Sequence, residues 1–384
     1  MERDHIVSIL RQSPTPAYVV HLGALRSNLQ ILREVGEASG ATILLALKGF
    51  AMHGVFPLLR QSLKGVCASG LHEARLGAEH FGGVVHTFAP AFKEADLRVC
   101  LRYSDHLVFN SFQQWERFRP LVQSAPRPVS VGLRVNPEVS TAAVALYDPC
   151  SPGSRLGILR SEFEGRSLEG IEGLHFHTLC EQNSDALELT LQGFEARFGE
   201  FIPQLKWVNF GGGHHITRDD YDRTRLIRII RRFRETYGVD VYLEPGEAVA
   251  LNTGLLVTEV LDILPRPKPI AILDTSVTAH MPDVLEMPYR PGIIDGFLPG
   301  EKAHTYQLGG MTCLAGDVIG EWSFDEPLVP GRRLAFTDMA HYTMVKTTTF
   351  NGVQLPAIAT YEPDDDHLHV LREYGFESHI DRLG

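Results

Sequence analysis

Short apolar runs alternate with amphipathic stretches along the first two thirds of the chain. Leucines at 22, 25, 29 and 32 recur at helical spacing and predict a helix that ends near Gly40. Eight strand-like runs follow, at residues 41–48, 65–69, 84–90, 106–110, 129–137, 171–178, 206–213 and 239–246. Between most of them lie helix-like stretches, at residues 53–63, 71–81, 111–121, 186–202 and 223–238. Strands that alternate with helices are typical of a parallel sheet.

Eight such strands within about 200 residues favour an α/β fold with a closed (β/α)8 barrel of the TIM type. An open doubly wound sheet remains an alternative on pattern alone. Beyond Val249 the chain changes to β-rich runs separated by Pro and Gly. We therefore predict a barrel domain over residues 22–248 and a mostly antiparallel β domain over 249–384. Residues 1–21 contain a strand-like run and are assigned to the β domain.

Composition narrows the function classes. A formal net charge of -11 argues against a general nucleic-acid binder, which neutralises phosphates with clustered Lys and Arg. The N-terminal segment has no apolar run of signal-peptide length, and no stretch approaches the ~18 apolar residues of a membrane span. We expect a cytoplasmic protein that binds neither nucleic acid nor membrane. The five cysteines lack CxxC spacing, which disfavours disulfides and a structural metal site.

Polar residues close several of the predicted strands, where TIM barrels carry their functional groups. Lys48 ends the first strand, and its amine would be costly to bury unless its pKa fell or it reacted, as a Schiff-base lysine does. A lysine that extends into solvent at the barrel rim is the simpler alternative.

Three further strand ends carry candidate groups. Gly211, Gly212 and Gly213 expose backbone N–H groups that suit a phosphate, although a tight turn explains them equally. Glu244 could keep a pyridinium nitrogen protonated, or cap a helix. His177 could lie flat against a cofactor ring, although a strand histidine is more often a hydrogen-bonded core residue.

With these residues stands a set of seven motifs in order. They are ALKGF at 46–50, CASGLHE at 67–73, GLHFH at 173–177, NFGGGH at 209–214, EPGEA at 244–248, GGMTCLAGD at 309–317 and AHYTMVKTTTFNG at 340–352. Together they resemble the fold-type III pyridoxal-phosphate decarboxylases, which include ornithine, arginine and diaminopimelate decarboxylases. The resemblance spans nearly the whole chain and implies an alanine-racemase-like barrel with a C-terminal β domain.

The resemblance implies roles for individual residues. Lys48 would carry pyridoxal 5'-phosphate, His177 would stack on its ring, and Glu244 would pair with the ring nitrogen. The phosphate would be held by Gly211, Gly212, Gly213, Gly246 and Tyr342. Cys313 would reach the active site of a partner subunit and return a proton to the substrate, because sites of this family form across a homodimer interface.

Departures from the common family pattern point to one branch of it. The chain has HTLCE after the stacking histidine, and Glu247 stands where the family usually has an arginine that helps to hold phosphate. These variants, with the segment 273–291, resemble the carboxynorspermidine and carboxyspermidine decarboxylases. Ammonium groups of such substrates need carboxylates. The candidates are Asp274 first, then Glu181, Asp283, Glu286 and Asp317, each of which could instead be an ordinary acidic side chain.

Other functions remain open at this point. The nearest is a diaminopimelate, ornithine or arginine decarboxylase of the same fold. A racemase would need an opposing acid/base residue, which the sequence does not locate. A non-catalytic homologue would be expected to lose Lys48 or the three glycines, and both are present. The last alternative is an unrelated barrel that binds a phosphorylated metabolite without covalent attachment.

Overall fold

A computed structural model describes residues 1–142 and 144–384, and contains sixteen strands in this described part. In chain order they are β1 Ala17–His21, β2 Thr42–Ala46, β3 Gly65–Ala68, β4 Val84–Phe88, β5 His106–Phe109, β6 Ser130–Arg134, β7 Gly173–His175, β8 Trp207–Asn209, β9 Asp240–Leu243, β10 Gly254–Leu264, β11 Ile270–Leu273, β12 His304–Gly309, β13 Val318–Phe324, β14 Arg333–Thr337, β15 Ala357–Glu362 and β16 His367–Arg372.

The α-helices include long ones between the barrel strands and single turns near the sites. They are α1 Arg3–Gln12, α2 Leu22–Ser39, α3 Phe56–Leu59, α4 Leu71–Leu76, α5 Glu94–Tyr103, α6 Phe112–Gln123, α7 Ser184–Phe198, α8 Arg223–Tyr237, α9 Glu247–Ala250, α10 Val277–His280, α11 Pro282–Glu286, α12 Thr343–Lys346 and α13 Phe376–Ile380. Short 3-10 turns lie at His53–Val55, Ala145–Tyr147, Arg160–Phe163, Gly199–Gln204 and Phe350–Gly352, and a π-helical turn at Gly77–Phe81. None of the described helices is long and apolar enough to span a bilayer.

Strands β2 to β9 form a closed parallel barrel, which confirms the predicted (β/α)8 architecture. Closure is decided by the pairing of β2 with β9, in which Thr42 lies opposite Tyr242. The open-sheet alternative is therefore wrong. The predicted strands are longer than the observed ones: the run 171–178 leaves the ladder after His175. The residues that follow each short strand are free to form loops at the mouth of the barrel.

Helix α8 shows how the sequence fixes one layer of the barrel's outer ring. Its apolar positions Leu226, Ile229, Ile230 and Phe233 recur at helical spacing and are buried. Asp222 caps the first turn by accepting from the backbone N–H of Arg225, and Gly238 ends the helix at a φ of 68°.

Residues 1–27 and 250–384 form a second compact unit, separate from the unit of residues 28–249. Its eight-stranded sheet runs in the order β13-β12-β11-β10-β1-β15-β16, and β14 also pairs with β10. Only the β1–β15 and β11–β12 pairs are parallel among those described. The N-terminal strand lies inside this sheet, paired with β10 on one side and β15 on the other. The mostly antiparallel β domain expected from the sequence is confirmed.

The floor of the barrel is filled by one indole ring. Trp207 at the start of β8 lies over two glycines of neighbouring strands, Gly132 and Gly173, and its indole N–H donates to Ser130 Oγ at 2.8 Å. A Cβ on either glycine would overlap atoms of the ring. Small residues on two strands thus make the room that a large residue on the third occupies, as close packing requires.

We expect Gly173→Ala to destabilise the protein by ~1–3 kcal/mol or more, because the added methyl group must displace the Trp207 ring within a packed interior. Urea unfolding followed by fluorescence would measure the change. Gly199→Ala is the matched control, since its Cβ would be in ordinary contact with Tyr237 and its φ of -56° suits alanine. Equal stability of the two variants would contradict this account of the barrel floor.

Candidate active site

Alternation along the barrel strands turns one set of polar side chains toward the barrel axis. His175 and His177 are two residues apart and share a face, and Glu244 follows β9 on the adjoining side. One ligand atom from each of the three lies within 4.8 Å of the other two. The structure therefore brings together side chains that the sequence places far apart, at the C-terminal ends of β7 and β9.

Glu244 is a buried carboxylate, with only 5% of its surface exposed. Its Oε1 accepts a hydrogen bond from Asn209 Nδ2 at 2.6 Å, and its Oε2 lies 3.5 Å from His175 Nε2. Burial alone would raise the pKa of Glu244, but the adjoining His175 and the further histidines at 86 and 177 hold it below its ordinary value. We therefore expect Glu244 to be ionised at neutral pH.

Asn209 connects this carboxylate to the glycine loop. Its amide nitrogen serves Glu244 and lies 3.1 Å from His86 Nδ1, and its Oδ1 accepts from the backbone N–H of Gly211 at 2.8 Å. The side chain is fully buried. Because one amide fixes both the carboxylate and the first glycine, the two cannot shift independently without breaking a buried hydrogen bond.

The glycine loop needs its glycines for room as well as for conformation. Gly211 and Gly213 have φ values of 69° and 80°, which favour glycine. A Cβ on Gly212 would come within 2.5 Å of the Glu244 carbonyl oxygen. The N–H of Gly212 donates to His177 Nδ1 at 3.2 Å, so that this nitrogen carries no proton. Burial lowers the pKa of His177 well below its usual range, which keeps the ring neutral.

Lys48 lies in a recess at the barrel mouth. Its side chain is exposed, yet burial by surrounding protein, with repulsion from Arg134, lowers the pKa of its amine. The two observations agree if water reaches the side chain while protein displaces most of the surrounding solvent. Cys67 and Glu244 also act on this amine. A rim lysine extended into bulk water would lack such neighbours, so this geometry disfavours the simpler alternative.

Arg134 ends β6 beside this recess and was not singled out by the sequence analysis. Its guanidinium lies 4.6 Å from the centre of the Phe88 ring and donates to the backbone carbonyl of His177 at 3.2 Å. Burial lowers the pKa of Arg134 to about 10, which leaves the side chain charged at neutral pH. A second fixed positive charge therefore stands near Lys48.

Comparison with known proteins assigns this arrangement to a family. Residues 17–340 match the family described as "Pyridoxal-dependent decarboxylase, C-terminal sheet domain". The chain belongs to the pyridoxal-dependent decarboxylases. The family resemblance drawn from the seven motifs is thereby confirmed, and the unrelated-barrel alternative is wrong.

Relatives within the family are similar over their whole length. A carboxynorspermidine/carboxyspermidine decarboxylase of Campylobacter jejuni is 46% identical over 376 residues, covering 95% of this chain and 97% of that protein. A carboxyaminopropylagmatine decarboxylase of Synechocystis is 44% identical, covering 98% and 97%. The crystal structure of Campylobacter jejuni carboxynorspermidine decarboxylase complexed with norspermidine superposes with a TM-score of 0.89 at 45% identity, covering 96% and 99%. The predicted likeness to this branch of the decarboxylase family is confirmed.

Several candidate residues of this decarboxylase lie in the second unit, and their contacts are local. Asp274 is buried, and its Oδ1 accepts from Thr258 Oγ1 at 2.6 Å and from the N–H of Glu259 at 2.9 Å. Asp283 and Glu286 both pair with Lys346. The substrate roles of these three carboxylates stay predictions.

Asp317 is buried and holds its own loop together. Its Oδ1 accepts from Ser276 Oγ and the N–H of Val277 at 3.0 and 2.9 Å, and its Oδ2 accepts from Thr312. These contacts give it a structural task beside its predicted one. Cys313 is an exposed thiol whose N–H donates to Asn351 Oδ1 at 2.6 Å, and Tyr342 has a φ of 39°.

The residues that the sequence analysis missed share one signal, an inward position on a barrel strand. Arg134, His86 and Asn209 each face the axis with the predicted groups, and Cys67 interacts electrostatically with Lys48. Counting in twos back from each strand end would have selected them. The predicted Gly246 packs differently, since a Cβ there would lie 3.1 Å from the carbonyl of Ala46 and 3.2 Å from Gly49 Cα.

The lowered pKa of Lys48 makes a chemical prediction for the cofactor-free protein. The neutral amine is the reactive form, so labelling of Lys48 by an amine reagent should reach its maximal rate at a lower pH than an ordinary lysine, whose pKa is about 10.4. Arg134→Gln should shift that plateau to higher pH, because it removes a repelling positive charge. Mass spectrometry of the Lys48 peptide follows the rate, and a rate that still rises above pH ~10 in the wild type would refute the assignment.

Proposed function

We propose that this protein is a pyridoxal-phosphate-dependent carboxy-lyase that decarboxylates carboxynorspermidine, carboxyspermidine or both, releasing norspermidine or spermidine in polyamine biosynthesis. The observation that supports it most is the joint placement of Lys48, Glu244 and the glycine loop at one barrel mouth. The relative from Campylobacter jejuni supports the substrate, through its name and its norspermidine-bound structure.

The residues present fit the cofactor. Lys48 lines a recess with a depressed amine pKa, Glu244 offers a buried ionised carboxylate, and Gly212 leaves space that a Cβ would fill. Pyridoxal phosphate, when bound, supplies a ring that accepts the electron pair left behind when carbon dioxide departs. Neutral Lys48 would bond to it covalently, since only the unprotonated amine is nucleophilic.

Glu244 would hold a proton on the ring nitrogen, and Asn209 would keep Glu244 Oε1 in position for that task. Neutral His177 would stack on the ring, oriented by the Gly212 N–H. Gly211, Gly212, Gly213, Gly246 and Tyr342 would hold the phosphate. These roles follow from the family resemblance and agree with the geometry of the barrel residues.

Proton return is assigned to Cys313, whose Sγ would deliver a proton to the substrate Cα after carbon dioxide has left. In this proposal it belongs to a partner subunit, which makes the protein a homodimer with shared sites. Its exposure in the single chain fits a residue that acts at an interface. A cytoplasmic location likewise stays a prediction.

A second candidate substrate is carboxyaminopropylagmatine. The relative named for it is 44% identical over 98% of this chain, nearly the identity of the carboxynorspermidine relative. Overall similarity therefore does not separate the two substrates. A diaminopimelate or ornithine activity is less favoured, because the solved diaminopimelate decarboxylase of Helicobacter pylori is only 16% identical and shares the fold alone.

The proposal predicts that purified protein supplied with pyridoxal phosphate releases carbon dioxide from carboxynorspermidine or carboxyspermidine, and that Lys48→Ala lowers the rate by orders of magnitude. Product analysis should compare these substrates with carboxyaminopropylagmatine, diaminopimelate and ornithine. Turnover of carboxyaminopropylagmatine alone would move the assignment to the second candidate. Turnover of diaminopimelate or ornithine alone would overturn the polyamine assignment.

Asp274 ranks first among the predicted ammonium-binding carboxylates of the second unit. Asp274→Asn preserves the shape of the side chain and removes its charge, so we expect a KM about tenfold higher or more, with a smaller change in kcat. Asp262→Asn, an exposed position on β10, is the control. An unchanged KM would exclude Asp274 from the substrate site.

A further inference from the structure

Three side chains that the proposed chemistry leaves without a task converge at the barrel mouth. Glu181, His215 and Glu247 each offer a ligand atom, and these atoms all lie within 4.8 Å of one another. Glu181 is exposed, His215 is 5% exposed, and Glu247 is half-buried. We call them the acidic triad.

The backbone places the triad on the same face as Lys48. The loop that carries Glu181 runs beside the glycine loop, with the N–H of Gln182 donating to Gly213 O at 3.0 Å and the N–H of His215 donating to Gln182 O at 3.3 Å. Glu247 opens α9, and its backbone nitrogen would lie 3.0 Å from a Cβ on Gly49, the residue after Lys48. The triad therefore belongs to the C-terminal ends of β7, β8 and β9.

His215 is the member that calls for a ligand. Both of its ring nitrogens are buried and without a hydrogen-bond partner among the described residues, although Nε2 lies 3.4 Å from Glu247 Oε2. A buried polar group without a partner costs about 1–3 kcal/mol. A bound group that donates N–H bonds would satisfy a ring nitrogen and carboxylates at once.

An ammonium group matches this arrangement. It donates up to three hydrogen bonds in a tetrahedral pattern, and N–H···O distances of about 2.8 Å place its acceptors about 4.6 Å apart. Two carboxylates and a neutral imidazole supply the acceptors, and the negative charges offset the cost of removing the ammonium from water.

We infer that Glu181, His215 and Glu247 form a subsite for an ammonium group of the polyamine substrate. The inference rests on the proposed function, which supplies a substrate with several ammonium groups. Of these residues the sequence suggested only Glu181 as a substrate ligand. The subsite also sets specificity: a substrate that ends in a carboxylate, such as diaminopimelate, meets two like charges and is rejected.

The test measures norspermidine binding to the holoenzyme by calorimetry. Removal of one charge-assisted hydrogen bond should weaken binding about tenfold in Glu181→Gln, Glu247→Gln and His215→Ala. Glu247→Arg should weaken it further than Glu247→Gln, because a repelling charge replaces an attracting one. Glu235→Gln, exposed on α8, is the control and should bind as the wild type does. Thermal unfolding and the absorption spectrum of bound cofactor verify that each variant is folded and loaded.

The outcomes separate the subsite from the proposed function. If the wild type forms a triamine while both Gln variants bind norspermidine as tightly as it does, the subsite is overturned and the function stands. A wild type that neither binds norspermidine nor forms a triamine would overturn both. Binding of norspermidine that disappears after treatment with a chelator would assign the triad to a metal ion and overturn the ammonium subsite. Should His215→Ala fail to fold, the two glutamate variants decide the matter.

Discussion

The burial of one ionised carboxylate inside a closed barrel is the constraint on which the rest of the site depends. A lone charge in such a place would be prohibitively costly, so it must be met by hydrogen bonds and opposite charge. Glu244 is met by the amide of Asn209 and by His175. Because Asn209 also fixes Gly211, the carboxylate and the glycine loop form one rigid assembly. The barrel strands hold that assembly at fixed distances, which no loop alone would do.

Charge balance around this carboxylate explains the state of its neighbours. Lys48 and Arg134 bring positive charge into the same recess, and burial depresses the pKa of both. The histidines at 175 and 177 are held neutral by burial. An amine that is easily deprotonated beside a carboxylate that stays ionised is the pairing that covalent binding of an aldehyde cofactor requires. The acidic triad continues this pattern outward, with negative charge where ammonium groups would arrive.

The sequence predicted the barrel because eight apolar runs separated by amphipathic helices allow few other packings. It also predicted Lys48, His177 and Glu244, since these lie at strand ends. It could not predict Arg134 or Asn209 as site residues, because their inward direction depends on the exact register of short strands. Nor could it foresee that Asp317 is engaged by Ser276 and Thr312, or that His215 comes near Glu181 and Glu247. Such contacts join loops that are distant in sequence, and only the folded backbone brings them together.

The most direct test of the role of Glu244 is the protonation state of the cofactor's ring nitrogen, measured by nitrogen-15 NMR with labelled pyridoxal phosphate bound to the protein. The account predicts a protonated nitrogen near neutral pH in the wild type and loss of that proton in Glu244→Gln, with Lys48 still bonded to the cofactor. A nitrogen that is protonated equally in both proteins, or in neither, would contradict it.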